Sequence, residues 1–182
     1  ANATLPLGWI STQLADTWHA TNTAAYSGSQ SVFANRFSDN NQVGKVELMT
    51  PVLKGLAQAD SVFLQFSLAT AMRNTNSIVT SDTFEVWIST RCGGTMQQVY
   101  RKAGQQLATV ANPLSSPFVP NTVSEWRREK LDLTYLKDYF SEDVQIVFRI
   151  KKGRGNHLYL DDVHLFAKTI PDALKKAQYG VY

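Results

Sequence analysis

One cysteine, Cys92, stands in 182 residues. A single thiol excludes an intrachain disulfide framework and any cysteine-rich zinc site. Charge is scarce as well: Asp, Glu, Lys and Arg make up 18% of the chain, and the net excess is only +3. That balance leaves no electrostatic footprint for nucleic acid, and no basic stripe is interleaved with aromatics. No apolar run approaches the roughly 20 residues that span a bilayer as a helix. The histidines His19, His157 and His164 lack a metal-ligand spacing such as His-Glu-x-x-His. There is no Gly-x-Ser-x-Gly elbow, and Cys92 sits in a Gly-flanked turn with no evident His or Asn partner. Glu47, Glu85, Glu125 and Asp132 supply carboxylates, as any all-β chain of this length does, and no pair stands out as a glycosidase dyad.

What is present points to β-structure. Hydrophobic residues make up 43% of the chain, with 4 Trp, 7 Tyr and 9 Phe. Low charge together with much Ser, Thr, Asn and Gln suits an extracellular β-protein better than a helical cytosolic one. The length suits one large domain with a single core. Thr83 to Thr90 alternates cleanly, with Phe84, Val86 and Ile88 on one face and Glu85 and Trp87 on the other. Val144 to Ile150 alternates in the same way, with Val144, Ile146, Phe148 and Ile150 inward. Ser61 to Ala69 is apolar at nearly every position and reads as a central strand. Glu125 to Leu133 is a further strand, and Tyr135 to Phe140 reads as one helical turn. A long loop carries Pro113, Pro117 and Pro120. Strands at such short spacing, without a long amphipathic helix, predict an all-β, antiparallel jelly-roll β-sandwich.

The last apolar run, Leu158 to Phe166, carries two adjacent carboxylates, Asp161 and Asp162. Acids within an apolar strand are costly unless something offsets their charge. Neighbouring strand residues point to opposite faces, so the pair serves one ion only if a bulge intervenes. The alternative is that one Asp caps backbone amides while the other faces solvent. Asp82 is a weaker acid candidate and equally an ordinary turn residue. Trp18, Trp87, Trp126 and Tyr100 are candidate ligand-binding platforms, because flat rings suit sugar rings or peptide. Trp87 is the most suggestive, since it lies on the polar face of its strand.

Several segments, in order, resemble the MAM-like, cleaved-adhesin modules of secreted Bacteroidetes proteins, which are also found beside pappalysin-like metallopeptidases. They are Leu5-Pro6-Leu7-Gly8-Trp9, Tyr26-Ser27-Gly28-Ser29, Leu48-Met49-Thr50-Pro51, Ser81 to Thr90 with Cys92-Gly93-Gly94-Thr95, Trp126, Leu131-Asp132-Leu133 and Asn156 to Val163. Arg91 stands where that family often has Asp, and Met96 where it often has Trp. The resemblance implies export and a galactose-binding-like sandwich stabilised by calcium. It also implies a calcium site in which the last strand's Asp162 or Asp161 joins the loop Ala25 to Ser29, with Asp16 nearby and Asp82 as a further candidate. Residues 1 to 168 form the expected module, and 169 to 182 a linker towards a further, sorting-type domain. The expected role is a non-catalytic adhesion or substrate-targeting module of a larger secreted or cell-surface protein. Its partners would be an extracellular protein or glycan and other domains of the same parent chain. A carbohydrate-binding module of a glycan-degrading enzyme and a structural spacer are the alternatives.

Overall fold

The computed structural model describes residues 3–12, 18–38, 43–75, 78–90 and 94–171. The strands in chain order are β1 (Ile10–Thr12), β2 (Trp18–Thr21), β3 (Ser31–Ala34), β4 (Lys45–Met49), β5 (Ser61–Thr70) and β6 (Arg73–Thr75). They continue with β7 (Ile78–Thr80), β8 (Thr83–Thr90), β9 (Met96–Ala103), β10 (Arg127–Asp132), β11 (Val144–Lys151) and β12 (Leu158–Lys168). Two five-stranded antiparallel sheets form the body, in the orders β1-β4-β11-β8-β9 and β10-β5-β12-β3-β2, with a small β6-β7 ribbon beside them. This is the antiparallel jelly-roll sandwich that the alternation predicts.

The inward residues of β8 and β11 are the alternating set: Phe84, Val86, Ile88, Ile146, Phe148 and Ile150 are all at most 2% exposed. Phe66 of β5 reaches across from the opposite sheet and makes edge contacts with Phe84, Tyr100 and Phe148 at 6.1, 5.6 and 5.7 Å. Offset and edge geometries suit the ring quadrupoles, which adds to what burial alone contributes.

The structure departs from the expectation of one core. A smaller cluster of Phe118, Trp126, Tyr159 and Ala69 lies apart from the main one. It forms because the Pro-containing loop folds back over the outside of the second sheet. Asn156 fixes the loop there: its Oδ1 accepts from the Phe118 and His157 amides at 2.8 Å, and its Nδ2 donates to the Ser116 carbonyl. The segment expected as a strand from Glu125 starts two residues later, because Glu125 is spent on a 3-10 turn. The Glu125 carboxylate accepts from the Thr122 amide at 3.0 Å, closing a capping box. The expected helical turn after Tyr135 is a pair of 3-10 turns, Thr134–Leu136 and Tyr139–Ser141, which bury Leu136 and Phe140.

One buried ion pair joins the halves of the chain. Arg36 is 0% exposed and donates from Nε to Asp82 Oδ2 at 2.9 Å. Asp82 Oδ1 accepts the amides of Gly153 and Gly155 at 2.6 and 2.9 Å. The turn needs glycine here: a Cβ on Gly153 would stand 1.9 Å from the Ser81 carbonyl oxygen.

Candidate functional site

The acid pair sits on a bulge. Asp161 pairs with Ser67 but His164 with Gln65, so β12 carries one residue more than β5 between them. Asp162 adopts φ 47, a left-handed conformation that Asp tolerates better than most residues. Together these turn both carboxylates onto one early loop. Asp161 Oδ2 accepts the amides of Tyr26 and Ser27 at 2.8 and 3.2 Å, and its Oδ1 accepts the Asp162 amide at 2.7 Å. Asp162 Oδ1 accepts the Ser27 hydroxyl at 2.6 Å, and Arg128 Nη2 lies 3.9 Å from its Oδ2. Both carboxylates thus meet the loop Ala25 to Ser29, through its amides and a hydroxyl.

The chemistry of these contacts is that of a hydrogen-bonded clasp. Calcium takes about six to eight oxygens, many of them carbonyls. Here N–H groups point at the carboxylates and a guanidinium stands beside them. No group of three or more His, Cys, Asp and Glu suited to a metal occurs among the described residues. The side-chain oxygens gathered here are those of Asp161, Asp162 and Ser27, and a calcium shell would also draw on backbone carbonyls. Asp82 is committed elsewhere, to Arg36 and the glycine turn, which corrects its candidacy as a metal ligand. Asp16 lies outside the described residues, as do Arg91 and Cys92.

Three of the four expected ring platforms are core residues instead. Trp18 is 1%, Trp126 7% and Tyr100 8% exposed. Trp18 packs near Phe84, and Trp126 packs between Tyr26 and Tyr159. The Tyr100 hydroxyl donates to Glu129 Oε1 at 2.8 Å, and burial first, then that carboxylate, pushes its phenol pKa up. Tyr100 points inward because β9 bulges at Val99: Val86 pairs with Tyr100 but Trp87 with Gln98. Period two counted from Met96 would have placed it outside.

Trp87 alone lies on an outward face. It is half-buried on the outside of the first sheet, with the Arg149 guanidinium 4.6 Å from its ring centroid and its indole N–H donated to Glu85 Oε2 at 2.9 Å. The register builds two rows across this face. One runs Ile10, Met49, Val147, Trp87 and Gln98; the other runs Thr12, Glu47, Arg149, Glu85 and Arg101. Arg149 Nε donates to Glu47 Oε1 at 2.6 Å, and Lys151 Nζ lies 2.9 Å from Glu85 Oε1. A groove of ≈ 400 Å³ opens beside them, floored by Ile10, Met49 and Val147 and flanked by Arg149, Gln145 and Met96. An apolar floor with a few fixed polar groups is the usual make-up of a small-molecule or glycan site. A second hollow, ≈ 300 Å³, lies between the N-terminal segment at Pro6 and Trp9 and the acid clasp.

The sequence pointed to Trp87 but not to Arg149, Glu47, Lys151 or Arg101. Their signal was present in the alternation, which places Gln145, Val147, Arg149 and Lys151 outward. That β11 lies beside β8 and β4 is a property of the fold, invisible in any one strand.

The carboxylates do not form an acid–base pair. Burial raises the Glu85 pKa, but hydrogen bonds from Lys151 and Trp87 and the charges of Lys151 and Arg149 outweigh it, leaving the pKa below the ordinary glutamate value. A general acid needs a raised pKa. Glu125 caps its turn, and Asp132 Oδ1 accepts the Thr134 amide at 2.9 Å.

No family model matches this chain, and no curated protein matches it. Solved structures share the fold. The K1 cleaved adhesin domain of Lys-gingipain from Porphyromonas gingivalis W83 is 16% identical with a TM-score of 0.57, over 90% of this chain and 93% of that one. The carbohydrate-binding module TmCBM61, solved with β-1,4-galactotriose, is 12% identical with a TM-score of 0.54, over 92% of each chain. A cyclase from Fischerella sp. TAU is 11% identical with a TM-score of 0.51, over 92% of this chain and 89% of that one. At these identities the likeness is one of fold, and the site must argue the function.

Proposed function

We propose that this chain is a non-catalytic binding module of a larger exported protein, working in adhesion or substrate targeting, and that it holds a glycan on the outer face of β1-β4-β11-β8-β9. One observation carries the reading: an outward sheet face combines the Trp87 ring, the Arg149 guanidinium and a groove of ≈ 400 Å³ with an apolar floor. Sugar C–H faces pack on such a floor, and charged forks take their hydroxyls. The likeness in fold to an adhesin domain and to a module solved with a galacto-oligosaccharide supports the same class. Rigid sheet residues hold the groups, which favours recognition without a moving lid.

The clasp of Asp161 and Asp162 holds the last strand to the Tyr26-Ser27 loop. We assign it a structural role that is complete without calcium.

A glycan array tests the reading. The chain is expected to retain at least one polysaccharide class, and Trp87→Ala to weaken that retention by about tenfold or more. Tyr135→Ala, an exposed ring outside this face, is expected to leave it unchanged. Binding that survives Trp87→Ala would move the site elsewhere. A chain that bound neither glycans nor matrix proteins would be a spacer.

A further inference from the structure

We infer that the outer face of the first sheet selects an acidic polysaccharide, one whose sugars carry carboxylate or sulfate groups; this rests on the glycan reading above. Among its described residues the face holds four cations, Lys45, Arg101, Arg149 and Lys151, against two carboxylates, Glu47 and Glu85. The carboxylates are already shared. Glu47 Oε1 takes both Arg149 at 2.6 Å and Lys45 at 3.1 Å, and Glu85 Oε1 takes Lys151 at 2.9 Å with Arg101 at 3.7 Å.

The register sharpens the point. Lys45 of β4 stands directly opposite Lys151 of β11. Like charges directly opposed across a ladder destabilise a sheet, and here each lysine is held by one carboxylate, Lys45 by Glu47 and Lys151 by Glu85. Both side chains stay about half exposed, at 51% and 54%, and Lys45 lines the groove while Lys151 stands beside it in the next strand. Arg149 Nη2 has a thioether as its acceptor, Met96 Sδ at 3.7 Å. Sulfur is a weak acceptor, and a carboxylate or sulfate oxygen would serve a guanidinium better. A ligand anion laid between Lys45, Lys151 and Arg149 would relieve the lysine repulsion. It would also satisfy the guanidinium, while its sugar ring covers the apolar floor. Because both carboxylates already pair with the face's own cations, they offer little to a cationic ligand.

The test is affinity electrophoresis of the chain in gels containing polygalacturonate, its fully methyl-esterified form, a sulfated galactan or poly-glutamate. Retention is expected with polygalacturonate or the sulfated galactan and is expected to fall as salt screens the charges. The methyl ester, with the same backbone and no charge, is expected to bind about tenfold more weakly or worse. Lys45→Gln with Lys151→Gln is expected to cost a similar factor, and Lys130→Gln on the opposite sheet to cost nothing. These lysines are surface groups, so folding of the variants is expected and is checked by thermal melting. Equal retention by acid and ester would overturn the proposal while leaving the glycan reading intact. Retention by poly-glutamate as strong as by either polysaccharide would overturn it in favour of an acidic peptide. Retention by no polysaccharide, charged or neutral, would remove both this inference and the glycan reading.

Discussion

At the scale of single residues, the structure turns on a few carboxylates whose partners are far off in sequence. Asp161 accepts three amides. Asp161→Asn removes the charge from those bonds and is expected to cost about 1–3 kcal/mol in denaturant unfolding, since hydrogen bonds to charged groups are the strong ones. Asp162→Asn is expected to cost less, because its contacts are one hydroxyl and an arginine at 3.9 Å. Chelator is expected to leave the melting temperature unchanged; a clear drop would mean that an ion completes the clasp. His157 gives a pH signature. Burial lowers its pKa from 6.5 to about 4, and its Nδ1 accepts the Arg36 amide at 3.3 Å. The unfolded chain takes up a proton below pH 6.5 that the folded chain refuses until about pH 4, so this contribution is full above that window and lost as pH falls through it. The loss amounts to about 3 kcal/mol at its limit. His157→Gln, which keeps an acceptor, is expected to flatten the fall in stability measured between those pH values; an unchanged profile would remove His157 as its source.

At the scale of elements, bulges decide which faces side chains take. The alternation in β8 and β11 was legible, because both strands are regular across their inward apolar positions. The bulges in β12 and β9 were not, since an extra residue shows only against the partner strand. One bulge gathered Asp161 and Asp162 onto the same loop, and the other turned Tyr100 inside. Asp82 was equally opaque: the amides it caps lie 71 and 73 residues away. Its turn is an element whose failure is predictable. Asp82→Ala leaves Arg36 charged and buried without this carboxylate, and is expected to cost about 3–5 kcal/mol in urea unfolding. A cost below about 1 kcal/mol would mean that other groups carry the Arg36 charge.

At the scale of the whole molecule, the sandwich divides labour between its two outer faces. The second sheet hides much of its outside beneath the loop around Phe118 and Trp126. The first sheet leaves a groove open on its outside, with Trp87 half-buried beside it and Arg149 largely buried along its wall. Composition and alternation were enough to reach the sandwich class, but only the strand order β4-β11-β8-β9 assembles the charged row on one face. The central claim is that this face is where a ligand sits. Its most direct test is an NMR titration with the best-retained polysaccharide's oligomer, following the four tryptophan indole N–H signals. The account predicts that the Trp87 signal moves first, together with the amides of Gln98, Val147 and Arg149, while Trp18 and Trp126 stay still. Shifts confined to Tyr26, Ser27 and Asp161, with Trp87 unmoved, would contradict it.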